Sequence, residues 1–304
     1  MLNTGRTVPT PDESPWYYDP NGPTKLTGGV DSAEDIDATL TAAFDADWKF
    51  DHVFVTYGKL RATAPLFVGR CGRFYSAGGM VTHDTWGTAD DADTRTVSVN
   101  SQVIPPHTED TPHMTSDGTV LGEPNSFNPK LNKIIESEAT VFTHHPTAFH
   151  VRYGNIYGGN NILPAMWSVV KRILDGRSRI IVAMETARVP RSLEAFGRNA
   201  AEYFMLAVDN PETSQGEAFN GTEDTMPTTV QWIHMVAEAM GKEVEVVEMP
   251  NEIAVPFRPL NQGENDGIRG PHIHFNEKAH RLLGYKDVVG KREAIKITAG
   301  ASSY

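Results

Sequence analysis

The sequence predicts an α/β fold: a largely parallel sheet with helices on both faces. Short apolar runs such as Val53-Phe54-Val55 and Ile180-Ile181-Val182 read as buried strands. Between such runs lie segments whose apolar residues recur at helical spacing, as at Ile36, Leu40 and Phe44. Strands alternating with helices pair in parallel, because a parallel pair needs a long crossover and a helix supplies it.

Residues 1–30 hold five prolines and four glycines without a periodic apolar pattern, and read as an irregular arm. Ser32, with Asp35 three residues on, caps the helix that carries Ile36, Leu40 and Phe44. Asp51-His52-Val53-Phe54-Val55-Thr56 is a strand, and Arg73-Phe74-Tyr75-Ser76 begins another that runs into Ala77-Gly78-Gly79. Residues 84–128, rich in Asp, Thr, Pro and Gly, form the least regular stretch, and loops of that length often serve function. A helix is expected from Lys130 to Phe142 and a strand from Ala148 to Tyr153, then a helix from Trp167 to Leu174 and a strand at Ile180-Ile181-Val182. Asn199 to Val208 reads as a helix closed by Asn210-Pro211. Val230, Ile233, Ala237 and Met240 lie on one helical face between the cap Thr228 and Gly241. Glu243 to Glu248 alternates as a half-exposed strand does, and Glu277 to Leu283 is a last short helix ending at Gly284.

Composition narrows the function. A formal net charge of −12 argues against a general nucleic-acid binder, which needs clustered Lys and Arg. No stretch approaches the roughly 18 apolar residues of a membrane span, and Met1 to Thr10 lacks an apolar signal core, so a cytoplasmic setting is expected. The single cysteine, Cys71, excludes an intrachain disulfide and suits a reducing compartment. With no identifiable partner to lower its pKa, Cys71 reads as a small apolar residue beside a strand rather than a reactive thiol.

Several stretches resemble one family in the same order. Arg152-Tyr153-Gly154-Asn155-Ile156-Tyr157-Gly158 is similar to an R-P-x-x-V-Y-G turn, and Pro106-His107-Thr108-Glu109-Asp110-Thr111-Pro112 to a P-v-t-E-d-t-p loop. Glu217-Ala218-Phe219-Asn220-Gly221 with the helix after Thr228, and Phe275-Asn276-Glu277-Lys278-Ala279 with Leu283-Gly284-Tyr285, match two later passages. Over about residues 50–290 the chain thus resembles the extended short-chain dehydrogenases, the NAD-dependent epimerase/dehydratase family. The resemblance implies a Rossmann-like core over 1–160 and mainly a smaller substrate lobe over 161–304. It implies NAD or NADP beside Thr56, Tyr57, Gly58 and Asn155, with Arg6 near the adenosine ribose. It also implies a small-molecule substrate near Tyr157 and Arg191. Homodimers are common in the family, so a homodimer is a further expectation.

The chain departs from that family in two places. The family opens with a strand and a G-x-x-G-x-x-G turn whose backbone approaches the pyrophosphate. No such motif occurs here, and the chain begins at what resembles the second strand. Either the natural protein carries further upstream sequence, or the first βα unit is absent and the cofactor with it. The family also uses a Ser or Thr at a strand end and Tyr-x-x-x-Lys on the next helix for proton transfer. Here Gly78 falls at the Ser/Thr position with Ser76 two residues earlier, and Lys130 and Lys133 are the candidate lysines. The residues four before them are Ser126 and Pro129, not tyrosine, and His107 is the candidate substitute acid.

The remaining polar clusters carry less. Adjacent His144 and His145 point to different sides of a helix end, and His272-x-His274 lacks a third metal ligand. Asp90-Asp91-Ala92-Asp93 lacks the glycine and closing glutamate of a calcium loop. No metal is therefore expected. The leading expectation is an atypical dehydrogenase-like enzyme for a small organic substrate, by family an NAD(P)-linked oxidoreductase or epimerase/dehydratase. A cofactor-independent lyase, isomerase or hydrolase in the same cleft, and a non-enzymatic ligand sensor, stand as alternatives.

Overall fold

The computed structural model describes residues 2–3, 19–22, 24–29, 32–56, 59–80, 108–110, 119–120, 123–124, 129–158, 162–188, 190–254 and 273–300. Two short strands, β1 (Leu2–Asn3) and β2 (Leu26–Thr27), pair in parallel. Helix α1 (Ala33–Phe44) follows, with the Ser32 side chain accepting the Asp35 amide at 3.1 Å as the capping pattern predicts. Then come β3 (Phe50–Thr56), α2 (Leu60–Leu66) and β4 (Cys71–Gly79). A small hairpin, β5 (Thr119–Val120) with β6 (Glu123–Pro124), precedes α3 (Pro129–His144). Strands β7 (Phe149–Tyr153) and β8 (Asn155–Tyr157) lead into α4 (Pro164–Leu174), β9 (Arg179–Ala183) and the short α5 (Met184–Ala187). After β10 (Glu194–Phe196) come α6 (Gly197–Asp209), α7 (Pro211–Ser214) and β11 (Ala218–Gly221). The chain continues through α8 (Thr229–Ala239), β12 (Glu245–Met249) and α9 (Asn251–Ala254) to α10 (Glu277–Leu283) and α11 (Lys291–Gly300).

The main sheet has four strands in the order β11-β7-β4-β3, all parallel. Its pairings include Val53 with Phe74, Tyr75 with Phe149, and Phe219 with Val151. Alternation along each strand sends side chains to two cores. One face packs Val53 and Phe74 against Leu40 of α1, Ala64 of α2 and Val141 of α3. The other packs Tyr75, Phe149 and Phe219 against Tyr203 of α6 and Leu283 of α10. A third core, between α4, α8, α11 and the parallel pair β9–β12, closes around Met166, Ile180, Trp232 and Ile295. The parallel pair β8–β10 lies at its border, with Tyr157 and Phe196 in that core.

The expected α/β architecture is therefore present. Among the helices of seven residues or more, two go beyond the sequence reading. In α2, Pro65 stands one residue from the C-terminal end, where it breaks little of the helix but hides it in the sequence. In α11 the buried face is mostly small, with Ala294, Ile295, Thr298 and Ala299. Helix α10 ends as expected, with Gly284 at φ 67° in the left-handed conformation that glycine adopts at least cost.

Among the described residues, one edge of the main sheet has no further strand. Among the described strands, β3 pairs only with β4, and β2 pairs only with β1. Leu26 of β2 nevertheless packs on the core that contains Val53 of β3. Phe54 is 48% exposed on the α6 side of β3, with its ring stacked 4.6 Å from that of Tyr75. At the opposite edge, Glu109 covers β11 by accepting the Asn220 amide at 3.0 Å.

Candidate functional site

Ligands of open parallel sheets bind beyond the C-terminal ends of the strands. In this chain those ends are Thr56, Gly79, Tyr153 and Gly221. Thr56 is exposed there, and Asn155 is exposed just past Tyr153 with its amide bonded to the Leu193 carbonyl at 2.7 Å. Arg6, Tyr57, Gly58 and His107 lie outside the described residues, as does the Lys130 side chain. Lys133 is exposed on the first turns of α3.

Ser76 does not reach that surface. It is fully buried in β4, with Oγ 2.8 Å from His150 Nδ1 and 3.3 Å from the Phe149 carbonyl. His150 Nε2 lies 3.4 Å from Glu138 of α3. Arg152 grips the same carboxylate with two bonds, Nε to Oε2 at 2.9 Å and Nη2 to Oε1 at 2.8 Å. Ser76 and Gly78 are paired in register with His150 and Arg152, so alternation sets these residues on the side of the sheet that α3 covers. The result is a buried polar seam, with His150, Arg152 and Glu138 each under 10% exposed.

This seam accounts for Gly78. A Cβ at that position would sit 2.6 Å from His150 Nε2, so the imidazole takes the room that a side chain there would need. A Cβ at Gly79 would sit 3.0 Å from Ile134. Gly78→Ser, which restores a hydroxyl to the expected position, should therefore lower stability by about 1–3 kcal/mol through overpacking. A melting temperature equal to that of the unsubstituted chain would refute this.

A second buried network joins α11 and the β8–β10 pair to the connection after β11. Lys291 at the start of α11 lies 2.7 Å from Glu223 and 3.5 Å from Glu194. Tyr157 donates its hydroxyl to Glu223 at 3.1 Å, and Asn199 Nδ2 donates to the same carboxylate at 3.0 Å. Arg191 pairs with Glu194, and its guanidinium lies 4.1 Å from the centre of the Trp232 ring. Burial works against a charged Glu194, but Arg191 and Lys291 outweigh it and hold the carboxyl below the usual range. Burial, then the neighbouring Glu223 and Glu194, push the Tyr157 phenol far above its ordinary value. Tyr157 and Arg191, expected near a substrate, both take part in this network, and Tyr157 is 1% exposed.

Other groups expected to matter fall into place more simply. His274 is fully buried, with its amide donating to Ser192 Oγ at 3.2 Å, while His272 lies outside the described residues. Burial raises the Cys71 thiol, in keeping with a structural rather than a reactive cysteine. Among the described residues no cluster of three His, Cys, Asp or Glu is arranged to hold a metal. No described helix is long and apolar enough to cross a membrane. Burial also raises the Glu109 carboxyl, against the opposing pull of the Asn220 amide, Lys278 and Arg152.

Solved structures share this fold along almost the whole chain. UDP-glucose 4-epimerase from Thermotoga maritima, solved with UDP-glucose, superposes with a TM-score of 0.63 at 14% identity, covering 99% of this chain and 89% of that one. The chain has the Rossmann-like epimerase/dehydratase fold. WbmG of Bordetella bronchiseptica, in complex with NAD and UDP, gives a TM-score of 0.60 at 13% identity, covering 99% of this chain and 84% of that one. The dTDP-glucose 4,6-dehydratase of Bacillus anthracis, in complex with NAD, gives 0.61 at 12% identity, covering 99% and 86%. No family model matches the sequence, and no curated protein does.

The residues present meet only part of what a dinucleotide of that kind needs. The parallel strand ends are in place. The sequence has no G-x-x-G-x-x-G turn for the pyrophosphate. Of the tyrosines on the main sheet, Tyr75 is fully buried and Tyr153 is 3% exposed, with its hydroxyl bonded to the Ala200 carbonyl. Neither is placed to exchange a proton with a ligand at the strand ends. Sequence reasoning passed over Glu138, His150, Glu194, Glu223 and Lys291, the residues that organise both networks. The usable signal was the placing of Ser76 and Gly78, and of the polar His150 and Arg152, at alternate positions of strands otherwise apolar enough to be buried.

Proposed function

We propose that this protein is an atypical dehydrogenase-like enzyme of the NAD(P)-linked oxidoreductase or epimerase/dehydratase class. It acts on a small organic substrate beyond the strand ends at Gly79, Tyr153 and Gly221, with residues 161–304 supplying most of the substrate lobe. The observation that carries this reading is the likeness of 99% of the chain to an epimerase, a dehydratase and the enzyme WbmG, two of them solved with NAD. The chain's own residues shape the cleft: Arg152 and Glu138 fix β7 to α3 beneath it, and Lys291, Glu223 and Tyr157 brace the lobe beside it.

A second reading is favoured by one observation. His150 crowds Gly78, the position from which the family's Ser or Thr is expected to act. That crowding suits a cofactor-independent lyase, isomerase or hydrolase in the same cleft. Calorimetry and thermal shift with NAD⁺, NADH, NADP⁺ and NADPH separate the two. Under the first reading one of them binds and raises the melting temperature. A folded, monodisperse protein that binds none of the four leaves the second.

A further inference from the structure

Two aspartates hold each other across the C-terminal part of the molecule. Asp224, in the connection after β11, donates its amide to Asp287 Oδ2 at 3.0 Å. Asp287, between α10 and α11, donates its amide to Asp224 Oδ2 at 3.1 Å. Each carboxylate thus serves the other's backbone, which sets two acidic groups side by side. The remaining contacts of the pair differ. Asp224 Oδ1 accepts Asn276 Nδ2 at 3.1 Å and lies 2.8 Å from His280 Nε2. Asp287 Oδ1 accepts only the Tyr285 hydroxyl, at 2.9 Å, among its described side-chain contacts.

The charged and titratable groups around Asp287 come from every element packed there. Asp224 and Glu223 approach from the connection after β11, and His280 from α10. Tyr285 lies on its own segment, while Tyr203 of α6 and Tyr157 of β8 are close enough to feel its charge. The buried cation of α11, Lys291, is committed to Glu223 and Glu194. Asp287 therefore has acidic neighbours and no cation of its own among these groups.

We propose that the Asp224–Asp287 pair is a proton-operated clamp: uptake of a proton by Asp287 fastens the connection between α10 and α11 to the connection after β11, and its release loosens both. The proton has a place to go. A protonated Asp287 can donate to the Tyr285 oxygen, and the Tyr285 hydroxyl then turns to the Asn199 carbonyl, 3.5 Å away. Asn199 already ties Glu223 to the Val289 backbone, so the bond runs into the buried network. Burial, and then the charges of Asp224 and Glu223, raise the Asp287 carboxyl to about 6. Because the clamp holds the connection that leaves β11 at its C-terminal end, its state is felt where a ligand of the sheet would bind.

The sign is fixed by linkage. A carboxyl raised from 3.8 in the open form to about 6 in the closed form binds its proton more tightly when closed. Closure is fullest at low pH and weakens as pH rises through about 6. Between pH 5 and 7.5 these values make opening about tenfold easier.

Hydrogen exchange read by mass spectrometry on the whole chain, corrected for intrinsic rates, tests this. Peptides over 222–228 and 284–290 should lose about tenfold in protection from pH 5 to 7.5. Asp287→Asn, whose amide mimics the protonated acid, should remove most of that dependence and keep the protection of the low-pH form. Carbon-13 spectroscopy of the unsubstituted protein gives an independent reading, with the Asp287 carboxyl titrating near pH 6. Equal protection at the two pH values, an unchanged pH dependence in Asp287→Asn, or a carboxyl midpoint below pH 4.5 would each overturn the clamp.

Discussion

Replacing Lys291 with methionine is expected to destabilise the protein by about 3–5 kcal/mol, the usual consequence of leaving buried carboxylates without their cation. The Lys291, Glu223 and Glu194 side chains are each 3% exposed or less, so water cannot take over the lost contact. Methionine keeps the apolar stem but loses the ammonium that also lies 4.8 Å from the centre of the Tyr157 ring. Adding Glu223→Gln should recover part of the loss, because the amide oxygen can still accept from Tyr157 and Asn199. Denaturant unfolding of the two variants measures both effects. A loss below 1 kcal/mol in Lys291→Met would mean that the network is solvated. Glu194 adds a pH signature. Its carboxyl is held below the usual range, so its contribution is present above the ordinary carboxylate pKa and is lost as pH falls through the depressed value.

Arg152→Met should cost a similar amount, again about 3–5 kcal/mol, for a related reason. Glu138 is 8% exposed and takes two guanidinium bonds from Arg152. Arg152→Lys is the informative companion. An ammonium supplies the charge but not the planar fork, so it should restore only part of the stability. If Arg152→Lys equals the unsubstituted protein in urea unfolding, the paired geometry does not matter and charge alone does. If Arg152→Met is as stable as the parent, the seam does not contribute to the fold.

What could be read in the sequence followed local rules. Ser32 and Thr228 announced their helices because a capping side chain and its amide partner lie three residues apart; Thr228 and Gln231 form a full capping box. Gly284 marked an end because few other residues tolerate its backbone angle. Strands β3 and β9 stood out as apolar runs. The two networks did not stand out, because their partners are remote: Glu223 and Lys291 are 68 residues apart, and Ser76 and His150 are 74. No spacing rule links such pairs, and each member alone looks like an ordinary polar residue. Tyr157 is a further case of a remote partner. The sequence placed it in the turn after a strand, whereas burial against Glu223 turned its hydroxyl inward.

The all-parallel main sheet also governs how the molecule comes to be formed. Antiparallel neighbours can zip from a tight turn, but β4 must wait for β7 and β7 for β11, with Tyr75 meeting Phe149 and Ala218 meeting His150 only after long stretches of chain have been laid down. Every such ladder requires closing a large loop before any bond rewards it, which is the topology of slow folding. Helices can form early and locally, while the sheet is completed late. The strand ends beyond which a ligand would bind are therefore among the last parts of the molecule to be assembled.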